Sequence, residues 1–164
     1  MYYEIHGSGD PLVLIHGAYG TIDLWGPILT SLAEQRQVIA VELQGHGHTA
    51  DIDRPFSYEQ LADDVAGVME HLGIAQADIV GYSTGGNTGL QLAIRHPDRV
   101  SKLVAISPNY RTDGYYPEVL AMMETITPED FAGSSMEEAY LRHAPRPEDW
   151  LTLIEKLKAL ATEE

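Results

Sequence analysis

The chain contains no cysteine. Disulfides, thiolate metal sites, iron–sulfur clusters and cysteine nucleophiles are therefore excluded. Positive charge is scarce as well: 10 Lys and Arg stand against 25 Asp and Glu, a formal net charge of −15 over 164 residues. Nucleic-acid binding and docking on an anionic membrane surface both rely on Lys and Arg, so neither partner is expected. Long apolar runs are also missing. The longest, such as Leu12-Val13-Leu14-Ile15, are strand-sized and too short to span a bilayer. Tyr2, Tyr3 and Glu4 open the chain without a basic or apolar leader region, so no secretory signal is expected and the default location is cytoplasmic. The remainder, 44% hydrophobic and 21% charged, has the make-up and length of one self-sufficient globular domain.

Short apolar runs alternate with segments of helical period, the pattern of a mostly parallel sheet with helices on both faces. Strands are expected over 1–6, 12–15, 38–43, 77–82 and 102–107. Between them, Trp25, Ile28, Leu29, Leu32 and Ala33 keep helical spacing, as do Leu61, Val65, Ala66, Met69 and Leu72. Ser57 and Gln60 form a predicted capping box ahead of the second of these helices, and Gly73 is its natural stop. The alternation ends near Pro108. Beyond it come short helices, with start signals at Thr127-Pro128 and at Ser135-Met136-Glu137-Glu138, and an apolar stripe of Trp150, Leu153, Ile154, Leu157, Leu160 and Ala161. The expected division is a core over 1–108 and a helical, cap-like segment over 109–164.

Gly81-Tyr82-Ser83-Thr84-Gly85-Gly86 fits G-x-S-x-G. At such an elbow a strained strand-to-helix turn lifts a serine hydroxyl above the sheet, and the glycines let strand and helix approach closely. Alone the pattern is weak. Here an apolar strand precedes it, a helix follows it, and His16-Gly17-Ala18 stands directly after another buried strand, where a backbone N–H can face the serine. With Glu42-Leu43-Gln44-Gly45-His46-Gly47-His48-Thr49 and His96-Pro97-Asp98-Arg99-Val100, these motifs resemble the α/β-hydrolase superfamily. The likeness is to its small-cap esterase, lactonase and cofactor-free haloperoxidase-like members. It runs from about Tyr2 to about Ser107 and more loosely beyond. The family usually carries Asp where Glu42 stands and Ser where Thr49 stands, mild departures in a loop.

The resemblance implies that Ser83 is the nucleophile and that the backbone N–H groups of Ala18 and Thr84 form an oxyanion hole. Gly17, Gly81 and Gly85 would shape the elbow and its facing loop, and Tyr19 and Tyr82 are candidate pocket residues. It also implies that the acid and the histidine of the triad follow the nucleophile in sequence. About five of the family's eight strands are countable, so the chain is expected to be a core truncated before either residue, weak or inactive by itself as a serine hydrolase of carboxylic esters or lactones. The alternative is an inert fragment that folds and self-associates.

The histidines at hand are poor substitutes for the missing base. His16 belongs to the oxyanion loop, and His46 and His48 read as hydrogen-bonding loop residues. His96 ends a helix, and His6 and His71 read as surface positions. His143 is the one whose segment is able to fold over Ser83. Asp113 lies roughly where some family members place the acid, although a solvated loop residue is the simpler reading. No H-E-x-x-H or comparable ligand spacing occurs, so no metal or other cofactor is expected. Tyr115, Tyr116, Phe131 and Tyr140 either line an acyl pocket or pack the cap. The anticipated substrate is a small, uncharged ester. An unpaired apolar edge beside the last strand is expected to be covered by the Trp150 helix or by a second copy of the chain, giving a homodimer.

Overall fold

In a computed structural model, which describes residues 1–109 and 114–162, the apolar runs become the centre of one sheet. Among the described residues five strands form it: β1 (Tyr2–His6), β2 (Pro11–Ile15), β3 (Gln37–Glu42), β4 (Ala77–Tyr82) and β5 (Val100–Ile106), in the spatial order β1-β3-β2-β4-β5. β1 runs antiparallel to β3, and every other pairing is parallel. Leu12 to Ile15 and Val38 to Glu42 are all buried, because helices cover both faces there.

Alternate residues of a strand point to opposite faces, and the two layers follow from that. Leu12, Leu14, Val38 and Ala40 pack with Trp25 of the short turn Ile22–Trp25 and with Leu29 of helix α1 (Gly26–Ala33). Val13, Ile15, Ile39 and Val41 pack instead with Leu61, Val65 and Met69 of α2 (Tyr58–His71) and with Leu92 of α3 (Thr84–Arg95).

The caps are close to the expectation, with two corrections. Ser57 Oγ accepts from the Gln60 N–H at 3.2 Å, but Gln60 Oε1 is buried without a partner among the described residues. The return bond of the capping box does not form. Farther on, the cap is Ser134, not Ser135. Its hydroxyl accepts from the Glu137 N–H at 3.3 Å, while Glu137 Oε2 accepts from the Gly133 N–H at 2.8 Å. Gly133, at φ +71°, makes the turn that shifts the start by one residue.

The later helices are α4 (Pro117–Thr125), α5 (Ser135–His143) and α6 (Trp150–Thr162). Phe131, Tyr140, Trp150, Leu153, Ile154, Leu157 and Leu160 are buried in the same apolar cluster as Val41, Leu43 and Phe56, so this segment shares the core of the sheet. The predicted stripe is therefore a core-facing one. A polar clamp fixes where α6 lands. Lys156 Nζ donates to Asp51 Oδ2 at 2.6 Å and to the carbonyls of Ile52 and Arg54 at 2.8 Å each, 5.5 Å from the Phe56 ring centroid. Those partners all belong to the loop after β3. Helix α6 is thereby drawn to that loop and is not the cover of β5, where Val104 remains 54% and Ile106 41% exposed. No helix among the described residues is long and apolar enough to cross a membrane.

Candidate active site

The site is built where β2, β3 and β4 end. At the end of β4 the chain turns through Ser83 at φ +52°, ψ −118°, a left-handed backbone that a side chain adopts only at a cost. Two main-chain bonds fix the turn. The Ser83 N–H donates to the Ile106 carbonyl of β5 at 2.8 Å, and the Asn87 N–H of α3 donates to the Ser83 carbonyl at 3.0 Å. Serine at a helix start normally spends its hydroxyl on the first turn. Ser83 stands at the start of α3 but makes no such bond, because its backbone lies outside the extended region that capping uses. Ser83 is half-buried, and its hydroxyl makes no hydrogen bond among the described residues. Thr84 is the first residue of α3, so its N–H has no intrahelical acceptor, and the helix dipole favours negative charge beside it.

The glycines explain how so much backbone fits. A Cβ added at Gly85 would fall well inside contact with the carbonyls of Ile15 and His16, and one at Gly81 would do the same with the Gly85 carbonyl. At Gly17 an added Cβ would lie 3.0 Å from Tyr82 Cδ1 and 3.2 Å from Ser83 Cβ. The loop after β2 is thus laid directly against the elbow at Gly17.

That loop is pinned from below by His16, which is fully buried. The Leu43 N–H donates to His16 Nε2 at 3.1 Å, so the ring proton sits on Nδ1 and is donated to the Gly17 carbonyl at 2.8 Å. The Gly20 N–H donates to the same carbonyl at 3.1 Å. Burial, helped by the neighbouring His46, pushes the His16 pKa down to about 3. His16 is a neutral structural bracket. From above, the loop is gripped through Tyr19, at φ +58°, whose ring centroid is 4.6 Å from Phe131 and 6.0 Å from Trp150. Tyr19 thus joins the wall between loop and cap-like helices, and burial with the nearby Glu155 charge pushes its phenol up to about 12. Tyr82 is 40% exposed beside Gly17.

None of the seven histidines is bonded to Ser83. His46 is buried, donates from Nδ1 to the Gln44 carbonyl at 2.8 Å, and has its pKa pushed down to about 4 by burial. His48 Nδ1 donates to Glu42 Oε2 at 3.0 Å. His143 does not fold over Ser83; it stands 3.2 Å from His48 Nε2 through Nδ1 and 3.6 Å from Asp23 Oδ2 through Nε2. His96 Nε2 pairs with Asp63 Oδ1 at 2.7 Å, His6 with Glu4 at 2.8 Å, and His71 is exposed beside the Tyr3 ring. Asp113 lies outside the described residues. Phe131 and Tyr140 pack on Trp150, while Tyr116 is 78% exposed. No group of three or more His, Asp or Glu among the described residues is placed to hold a metal ion.

Sequence reasoning missed the line Glu42–His48–His143–Asp23 that ties α5 to the core, since its members are remote in sequence. It also missed Asn87, whose buried amide oxygen accepts from the Asn109 N–H at 2.7 Å and holds the loop after β5. The Glu42 and Thr49 departures are accommodated within the loop itself. Glu42 Oε2 accepts from the His48 N–H at 2.6 Å, and Thr49 Oγ1 donates to the Glu42 carbonyl at 2.7 Å.

Comparison with known proteins agrees with this architecture. A family model described as the alpha/beta hydrolase fold matches residues 10–141. The chain is 32% identical over 167 aligned residues to the RutD protein of Azorhizobium caulinodans, named as a carbamate hydrolase, covering 100% of this chain and 60% of that protein. It is 40% identical over 102 residues to a 2-hydroxymuconate semialdehyde hydrolase of Pseudomonas sp. CF600, covering 60% of this chain and 36% of the relative. Among solved structures, the N-acyl homoserine lactonase AidH, complexed with N-butanoyl homoserine, superposes with a TM-score of 0.70 at 26% identity, covering 97% of this chain and 61% of the other. The chain therefore spans about three-fifths of the length of the RutD relative.

Proposed function

The chain belongs to the alpha/beta hydrolase fold family, and from that premise we propose that it carries the nucleophile half of a serine hydrolase acting on small, uncharged carboxylic esters or lactones. Ser83 Oγ attacks the acyl carbon, and the tetrahedral oxygen takes its negative charge between the N–H groups of Ala18 and Thr84. The intermediate collapses with cleavage of the ester C–O bond, the alcohol leaving with the proton taken from Ser83, and water then hydrolyses the acyl-serine to the carboxylic acid and restores the hydroxyl. Each such donor contributes about 3 kcal/mol to lowering the barrier. One observation carries the reading: Ser83 is held at φ +52° at a helix start, its hydroxyl without a hydrogen bond among the described residues, with the Gly17 loop packed so closely that an added Cβ there would lie 3.2 Å from Ser83 Cβ. The lactone class is supported by the likeness to AidH.

All seven histidines are engaged away from Ser83, so the proton acceptor comes from outside these residues, either from further sequence or from a second polypeptide. A serine without a base is a poor nucleophile, and the chain alone is weak. The same observation favours a second reading, a catalytically inert fold that retains the elbow as architecture. Turnover of a p-nitrophenyl ester and labelling by a fluorophosphonate probe, measured on the chain beside Ser83→Ala, separate the two. A rate that falls in the variant supports hydrolysis. Equal rates and no labelling of either establish the inert fold.

A further inference from the structure

We propose that Tyr19 is a positioning residue that couples the Ala18 amide to the seating of the cap-like helices. The inference rests on the reading of Ala18 as an oxyanion donor. Ala18 lies between two anchors of different origin. On its N-terminal side the Gly17 carbonyl is held by His16 Nδ1 at 2.8 Å and by the Gly20 N–H at 3.1 Å, and His16 is itself held by the Leu43 N–H at 3.1 Å. All of these belong to the sheet and its immediate loops. On its C-terminal side stands Tyr19, the sole ring that the loop contributes to a four-ring cluster. The other three come from the later helices: Phe131 from the turn Pro128–Phe131, Tyr140 from α5 and Trp150 from α6.

The cluster is interlocked. Phe131 and Trp150 meet edge to face at 5.4 Å and 80°, and Tyr140 lies 4.9 Å from Trp150. Phe131, Tyr140 and Trp150 are buried, whereas Tyr19 reaches them from a loop whose own backbone is left-handed at that residue. A bulky residue stays at φ +58° only when its surroundings over-determine it. Here the aromatic wall does so. Movement of α6 or of the turn at Phe131 moves the Tyr19 ring, and with it the peptide joining Ala18 to Tyr19, while the Gly17 side stays fixed by His16. The hole for the oxyanion is therefore complete only when the cap-like segment is seated.

Hydrogen exchange of the whole chain, read by mass spectrometry on peptides covering 16–20, tests this. Tyr19→Ala and Trp150→Ala are expected to speed exchange in that loop by at least about tenfold, with peptides from β3 and α2 unchanged. Tyr19→Phe, which keeps the ring, and Leu151→Ala, on the 54% exposed face of α6, are expected to match the parent. Phe131→Ala serves in place of Trp150→Ala if that variant does not fold. Exchange at 16–20 that is indifferent to Trp150 or Phe131, or that rises equally throughout the molecule, overturns the coupling. A fluorophosphonate probe read in parallel separates this from the functional reading: a parent chain that never labels defeats Ser83 as nucleophile while the exchange result stands.

Discussion

Acidification from pH 7 to pH 5 should remove about 4 kcal/mol of folding stability through two imidazoles that the fold keeps neutral. His16 and His46 are 0% and 1% exposed, and burial pushes their pKa values down to about 3 and about 4. In the unfolded chain both return to about 6.5. Between those limits the unfolded chain binds two protons that the native state excludes. Stability therefore rises with pH in this window and is lost as pH falls below about 6.5. Each imidazole forfeits about 1.4 kcal/mol per pH unit, hence about 2 kcal/mol by pH 5. The carboxylates of Asp51, Asp63 and Asp78 have pKa values lowered by their partners, so their contribution fades only at more acid pH. Urea unfolding followed by circular dichroism at pH 7, 6 and 5 gives the slope. His46→Phe keeps a ring between His16 and Phe56 and removes one of the two excluded protons. Its slope near pH 5 should drop from about 2.7 to about 1.4 kcal/mol per pH unit. An unchanged slope would refute the assignment of His46 as a buried neutral group.

Gly85→Ala would drive a methyl into the carbonyls of Ile15 and His16, where only backbone can yield. A loss of about 3 kcal/mol or more is expected in urea midpoints. Lys156→Met strips three oxygen partners from a side chain that is 19% exposed, and should lower stability by about 2 kcal/mol while leaving the β1–β3 pairing intact by hydrogen exchange. For the sheet edge we propose a second copy of the chain as the cover, since β5 is the edge strand among the described residues and carries exposed Val104 and Ile106. Light scattering should then give a dimer mass that Val104→Lys converts to a monomer; a monomeric parent at about 100 μM, far above the Kd of a stable dimer, rules the pairing out.

The chain's local chemistry already determined much of this protein. Unbroken apolar runs at Leu12–Ile15 and Val38–Val41 dictated strands buried on both faces, and the glycines at 81 and 85, set between a strand and a helix, marked where backbones approach too closely for a side chain. Both are short-range facts, carried by period and by the size of a missing side chain. Tertiary structure decided what depends on residues far apart in sequence. Lys156 finds Asp51 and takes α6 to the loop after β3, away from β5; His143 meets His48 and not Ser83; Tyr19 enters a wall of rings from three later elements. Such contacts are set by where whole helices come to rest, and helices are placed by the sum of many weak burials that no local pattern records.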